Sequence, residues 1–291
     1  MVRYFRVAGL YFSLDLPDDS PARELLHNYD PFEQGEAPEE CLFDLVQTTV
    51  PPAGEREELY VGREEPGEPV VNLYRTPEGF FAEFSPVSGV PICGQLEMSR
   101  DFRHGRLFAT GDGRAQAFAI NNALMLLFAF RSAKKSALEM HASVVMRGGR
   151  GFLFLGRSGT GKSTHSGLWL KYIDGTELLN DDNPVLRIVD GRARVYGTPW
   201  SGKTPCYKAQ DVPVGAIVRL SQAKENRITR LSTVAAYASV MSSCSGYRPF
   251  REITDAQHET LSVIAMDVPC YQLNCLPDEA AARLCQSTVD G

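Results

Sequence analysis

The stretch that limits this chain most is FLFLGRSGTGKST, residues 152–164. Four apolar residues run into Gly156, Gly159 and Gly161, which lead to Lys162, Ser163 and Thr164. A short apolar run bounded by glycine predicts a buried strand that ends in a tight loop. The following KSTHSGLWLKYI predicts a helix, with Leu168, Leu170 and Ile173 available for packing. Residues 156–163 satisfy G-x-x-x-x-G-K-[ST] at every fixed position. Glycines let successive backbone N–H groups turn into one concavity, and a helix N-terminus behind them adds the positive end of its dipole. Such a concavity suits phosphate oxygens. The expected nucleotide-binding residues are Gly156, Arg157, Ser158, Gly159, Thr160, Gly161, Lys162, Ser163 and Thr164. Lys162 would reach the β- and γ-phosphates, and Ser163 would ligate Mg2+. A strand–loop–helix of this kind points to an α/β fold.

Eighteen residues after Ser163, Asp181 and Asp182 close the short apolar run of TELLNDD. If that run lies beside the strand feeding the loop, both carboxylates stand near the phosphates. Asp181 is the candidate to take a proton from an attacking hydroxyl, and Asp182 the candidate to hold Mg2+ with Ser163. Neighbouring carboxylates repel, so cations are needed close by, and Mg2+ and Lys162 supply them. His141, in MHASVV, lies on the expected strand that pairs with the one entering the loop. YGTPWSGKTPCYK reads as a shaped loop, in which Trp200 would wall a site and Lys203 would offer charge to phosphate. In SSCSGYRPF, Arg248 is a candidate clamp for a transferring phosphoryl group.

At 291 residues the chain has the length of two ordinary domains. Residues 1–110 hold 9 Arg, no Lys and 20 Asp plus Glu, for a net charge of −11, whereas residues 111–291 carry +5. The expected division is therefore 1–110 and 111–291. The first part reads as a small, mostly antiparallel β domain of roughly five to seven strands. It includes RYFRVAGLYFSLDL, a short helix in PARELLHNYDPF, a solvated loop at 53–69 and a hairpin around Thr76–Gly79. Its acidity suits recognition of a substrate or partner and disfavours nucleic acid. Residues 114–135 read as a helix with Phe118, Leu124, Leu127 and Phe128 at helical spacing, followed by strands at 138–146 and 151–155. No segment has the ~18 apolar residues of a bilayer span, and the N-terminus is too charged for a signal peptide, so a cytoplasmic location is expected. Seven scattered cysteines without a C-x-x-C pair predict reduced thiols.

MHASVV, GRSGTGKST, LLNDDNPVLR and YGTPWSGK together resemble the kinases related to HPr kinase/phosphorylase, in particular the bacterial branch of that family. These share the phosphoenolpyruvate carboxykinase type of phosphate loop. The resemblance covers roughly residues 114–285 and rests most on the loop, the acid pair and the spacing between them. It implies a P-loop kinase domain with a sheet-rich core, behind the small β domain. It also implies ATP and Mg2+ as cofactors, an Asp of the Asp181–Asp182 pair as base toward a serine hydroxyl, His141 near the phosphates, and homo-oligomers. The expected activity is transfer of the γ-phosphoryl group of ATP to a hydroxyl of a peptide, a protein or a small metabolite. The N-terminal part and SSCSGYRPF depart from true HPr kinases, which argues against HPr as the acceptor. The alternatives are a nucleotide-binding regulatory module without transfer, and a carboxykinase-like or phosphorylase activity. A transporter-type ATPase is disfavoured, because no LSGGQ-like segment is present.

Overall fold

The computed structural model describes residues 2–62, 69–202, 204–245 and 250–291, and every count below refers to these residues. They form two compact units, Met1–Ser132 and Ala133–Gly291. No described helix is long and apolar enough to cross a membrane.

Unit 1 is a nine-stranded mixed sheet. Its strands are β1 (Val2–Val7), β2 (Leu10–Asp15), β3 (Glu33–Gln34), β4 (Asp44–Thr48), β5 (Glu57–Tyr60), β6 (Val70–Arg75), β7 (Gly79–Ser85), β8 (Gly94–Ser99) and β9 (His104–Ala109). The sheet is larger than the sequence suggests and is not wholly antiparallel, because β4 pairs in parallel with both β2 and β9. The excursions before and after β4 bring the chain back in the same direction, a feature set by non-local pairing. Two further departures are local. The helix expected in PARELLHNYDPF is a pair of 3-10 turns, Arg23–Leu25 and His27–Phe32, with Pro31 inside the second. Proline cannot donate the backbone bond an α-helix needs there. The loop expected at 53–69 contains β5, an edge strand antiparallel to β6.

Helix α1 (Gly113–Ser132) packs on this sheet, against β7, β8 and β9, so the division falls after Ser132 and not at residue 110. Leu124, Leu127 and Phe128 are fully buried, with Phe128 edge-on to Phe12. The helix can lie this close because β8 offers Gly94: a Cβ there would stand 2.6 Å from that of Ala119. Asn28 Nδ2 and Tyr29 Oη both donate to Asn121 Oδ1 at 3.0 Å, tying the second 3-10 turn to α1.

Unit 2 is a three-layer α/β/α arrangement. Its strands are β10 (Ala137–Glu139), β11 (Ala142–Arg147), β12 (Arg150–Leu155), β13 (Glu177–Asp182), β14 (Val185–Val189), β15 (Arg192–Tyr196), β16 (Asp211–Gln222), β17 (Arg227–Arg230) and β18 (Cys270–Cys275). The main path runs β10-β14-β15-β16-β12-β11-β13, and β18 joins β16 and β17. Its helices are α2 (Lys162–Tyr172), α3 (Thr233–Met241), α4 (Arg251–Asp267) and α5 (Glu279–Val289).

The central strand explains why FLFL is apolar at every position. Phe152 and Phe154 point to the core that holds Trp169 of α2 and Ala282 and Cys285 of α5. Leu153 and Leu155 point to the opposite core, with Val240 of α3 and Leu261 and Ile264 of α4. A strand covered on both faces needs two apolar sides. Trp169 lies with its ring centroid 5.2 Å from that of Phe152 and 5.6 Å from that of Phe154, which seats α2 directly behind the loop.

The strand expected at 138–146 is broken at Met140 and His141. Residues 137–139 pair with β14, whereas residues 142–147 pair with β12 and β13. His141 therefore stands in the break, just before β11, and not inside a strand. The acid pair also sits on a different neighbour from the one expected: β11 lies between β12 and β13, antiparallel to each. All seven cysteines are free thiols.

Candidate functional site

β12 ends at Leu155 and α2 begins at Lys162, so residues 156–161 form the loop between them. Gly159 has φ 75° and Gly161 φ 105°, conformations that a side chain strains. Gly161 is also the N-cap of α2 and has no side chain to cap it. The first N–H groups of an α-helix have no acceptor within the helix. Here they follow a loop already turned inward, with Thr160 N–H donating to Arg157 O at 3.1 Å.

Lys162 is buried at the head of the helix. Its Nζ donates to Gly156 O (3.1 Å) and Arg157 O (3.4 Å), and lies 2.8 Å from His141 Nε2. His141 Nδ1 in turn lies 3.0 Å from Asp182 Oδ1. The chain of contacts assigns the imidazole hydrogen to Nδ1, donated to Asp182, and leaves Nε2 to accept from Lys162. Burial lowers the Lys162 pKa, and the charges of Asp182 and Asp181 oppose that shift. A second contact runs beside the first: Ser163 Oγ donates to Asp181 Oδ1 at 2.9 Å. The structure thus brings Lys162, Ser163, His141, Asp181 and Asp182 together. Ser163 meets Asp181, not the Asp182 expected from the sequence as its fellow metal ligand.

Asp182 has φ 138°, a strained backbone for a residue with a side chain. Asn180, fully buried, holds that turn. Its Nδ2 donates to Thr198 Oγ1 and Trp200 O, each at 3.1 Å, and its Oδ1 accepts from Asn183 N–H at 3.0 Å. Thr198 Oγ1 donates to Asn183 O at 2.7 Å and closes the ring. Trp200 is buried, and its backbone carbonyl is one of the acceptors that hold Asn180. Ser201 Oγ donates to Asp181 O at 3.2 Å. Lys203 and Arg248 lie outside the described residues.

Glu139 was not singled out by sequence. It is 3% exposed at the end of β10, and its Oε2 has no hydrogen-bond partner among the described residues. Burial, and secondarily the charge of Asp182, push its pKa up to about 8. Within ALEM nothing distinguishes it from a solvated glutamate. His165 packs inside α2: Trp169 Nε1 donates to its Nε2 at 3.2 Å, and burial pushes its pKa down to about 4.

Among the described residues no three His, Cys, Asp or Glu side chains gather as a metal cage. The hydroxyl of Ser163 and the carboxylate of Asp181 are hard oxygens in contact. They fit a Mg2+ ion, which takes one or two protein ligands and fills its remaining positions with phosphate oxygens and water.

No protein-family model matches the chain, and no curated protein matches it. Among solved structures, the HPr(Ser) kinase/phosphatase from Coxiella burnetii is similar over 53% of this chain and 99% of that one, at 13% identity and a TM-score of 0.32. A superposition that loose carries no argument, and the fold described above rests on this chain's own strand order.

Proposed function

We propose that the chain is a phosphotransferase that holds ATP with Mg2+ on the 156–164 loop and passes the γ-phosphoryl group to a hydroxyl of a peptide, a protein or a small metabolite. The observation that carries this reading is the convergence of two contacts at the loop: Lys162–His141–Asp182 and Ser163–Asp181.

The loop N–H groups and the N-terminus of α2 bind phosphate oxygens, and Lys162 adds a fixed positive charge. Ser163 and Asp181 offer their oxygens to Mg2+. An ion held by them would supply charge neutralisation at the polyphosphate. Asp182 takes the acceptor's hydroxyl proton as the new oxygen–phosphorus bond forms and the bond to the nucleoside diphosphate breaks. His141 orients the Asp182 carboxylate by donating from Nδ1. The two acids thus exchange the roles expected from sequence, because the serine of the loop donates to Asp181. Unit 1 is assigned to acceptor recognition. It carries the acidic excess and a cavity of about 690 Å3 bordered by Arg56, Phe81, Glu97 and Arg106.

The test is transfer of labelled γ-phosphate to peptide and small-molecule hydroxyls. Asp182→Asn should lower kcat by about 10²–10⁴ while nucleotide still binds. Asp181→Asn should instead weaken the magnesium dependence of binding. Transfer by Asp182→Asn at the wild-type rate would remove Asp182 as the base.

A further inference from the structure

We propose that the cleft between the loop and the C-terminal end of β16 is a nucleoside subsite, in which the base stacks on Arg219 and the ribose meets Ser221 and Gln222. This rests on the reading that the loop binds a polyphosphate, and it adds which end of the nucleotide lies where.

Sheet order separates the two flanks of the loop. β12, which feeds the loop, has β11 on one side and β16 on the other. Beyond β11 lies β13 with Asp181 and Asp182 at its tip, and His141 stands just ahead of β11. β16 runs parallel to β12, so its C-terminal end emerges at the same edge as the loop but on the flank away from the acids. An acceptor hydroxyl must reach Asp182, so the other flank is left for the opposite end of the donor.

That flank has a cavity of about 400 Å3, lined by residues 157–160 of the loop and 219–222 of β16. Small-molecule sites run from about 300 to 1,000 Å3. Its walls carry two cations, Arg157 and Arg219, beside polar groups and Leu220. Arg219 is half-buried, and its Nη1 donates to Ser239 O (3.2 Å) and Ser242 Oγ (2.7 Å), which fixes the guanidinium plane. A planar cation held in this way suits the face of a base. Ser221 Oγ accepts from Gln272 Nε2 at 3.0 Å, so its own hydrogen is available to donate. Gln222 Nε2 donates to Gly159 O at 3.3 Å, which leaves Oε1 as an acceptor and ties the subsite to the loop. Ser221 and Gln222 thus offer the cavity a donor and an acceptor from successive positions at the end of β16, which suits the two ribose hydroxyls.

The experiment is a calorimetric titration of the full chain, in magnesium, with ATP and separately with inorganic tripolyphosphate. Stacking of one base should make ATP bind about 10- to 100-fold more tightly than tripolyphosphate. Arg219→Ala should erase most of that difference and leave tripolyphosphate affinity unchanged. Gln222→Ala, at an exposed position, should reduce the difference severalfold without risk to the fold. Equal affinity of the wild type for the two probes overturns the nucleoside subsite alone, as does a full ATP advantage in both variants. Failure of the wild type to bind either probe overturns the phosphate-loop reading and this subsite with it.

Discussion

Replacing Glu139 by glutamine should stabilise unit 2 in a pH window that can be worked out from two buried groups. The Glu139 pKa is raised from 4.5 to about 8, so the folded chain keeps a proton that the unfolded chain releases. Stability is then fully present below pH 4.5 and falls by about 1.4 kcal/mol per pH unit until the folded carboxyl ionises. His165 acts in the opposite sense. Its pKa drops from 6.5 to about 4, so the unfolded chain binds the extra proton and stability rises with pH across that interval. The two slopes oppose each other up to pH 6.5. From there to about pH 8 the His165 contribution is constant, and the loss expected from Glu139 is roughly 2 kcal/mol. The buried thiols Cys244 and Cys270 are raised from 9.0 to about 12 and about 11, so their contribution begins above this window. Urea unfolding at pH 6.5 and 8, followed by tryptophan fluorescence, measures the effect. Both tryptophans of the chain, Trp169 and Trp200, are buried in unit 2, so the signal reports that unit. The wild type should lose about 2 kcal/mol between the two pH values, and Glu139→Gln should lose almost none. An equal loss in both proteins would show that Glu139 is not held protonated, and would refute the reasoning.

Asn180→Ala removes the side chain that joins Thr198, Trp200 and Asn183 beneath the strained Asp182. It should cost about 1–3 kcal/mol in urea unfolding and lower kcat more than it raises KM; an unaltered kcat would show that the turn holds without it. Gly161→Ala places a side chain at φ 105°, a cost of about 1–2 kcal/mol. Tripolyphosphate binding, read by calorimetry, should weaken about tenfold, and full affinity would mean that the loop binds without this conformation.

The elements flanking the loop were legible because they depend on local pattern. FLFL has no polar face, and a strand with no polar face must be covered on both sides. Glycines and a hydroxyl-rich helix start mark the turn between strand and helix. What was not legible depends on partners distant in sequence. Nothing in LEMHASVV says that Glu139 pairs with β14 while Ala142 pairs with β12, yet that divergence puts His141 in a gap. Nor does the spacing from Ser163 to Asp181 say that β11 will lie between β12, which feeds the loop, and β13, which carries the acids. Helix α1 shows the same limit: its apolar face was readable, but the sheet that receives it is decided by close approach at Gly94. Asn180 and Glu139 went unnoticed because their residue types are ordinary on surfaces. Only burial distinguishes them, and burial is a property of the finished fold.

β16 is twelve residues long and spends them on three neighbours in turn: β15 along its first residues, then β12, then β18. The strand is continuous through both parts, with a one-residue irregularity at Gly215 where it passes from β15 to β12. The sheet is in this sense sewn by a single thread, and loosening either half slackens the other. A strand shared in this way should make unit 2 unfold cooperatively.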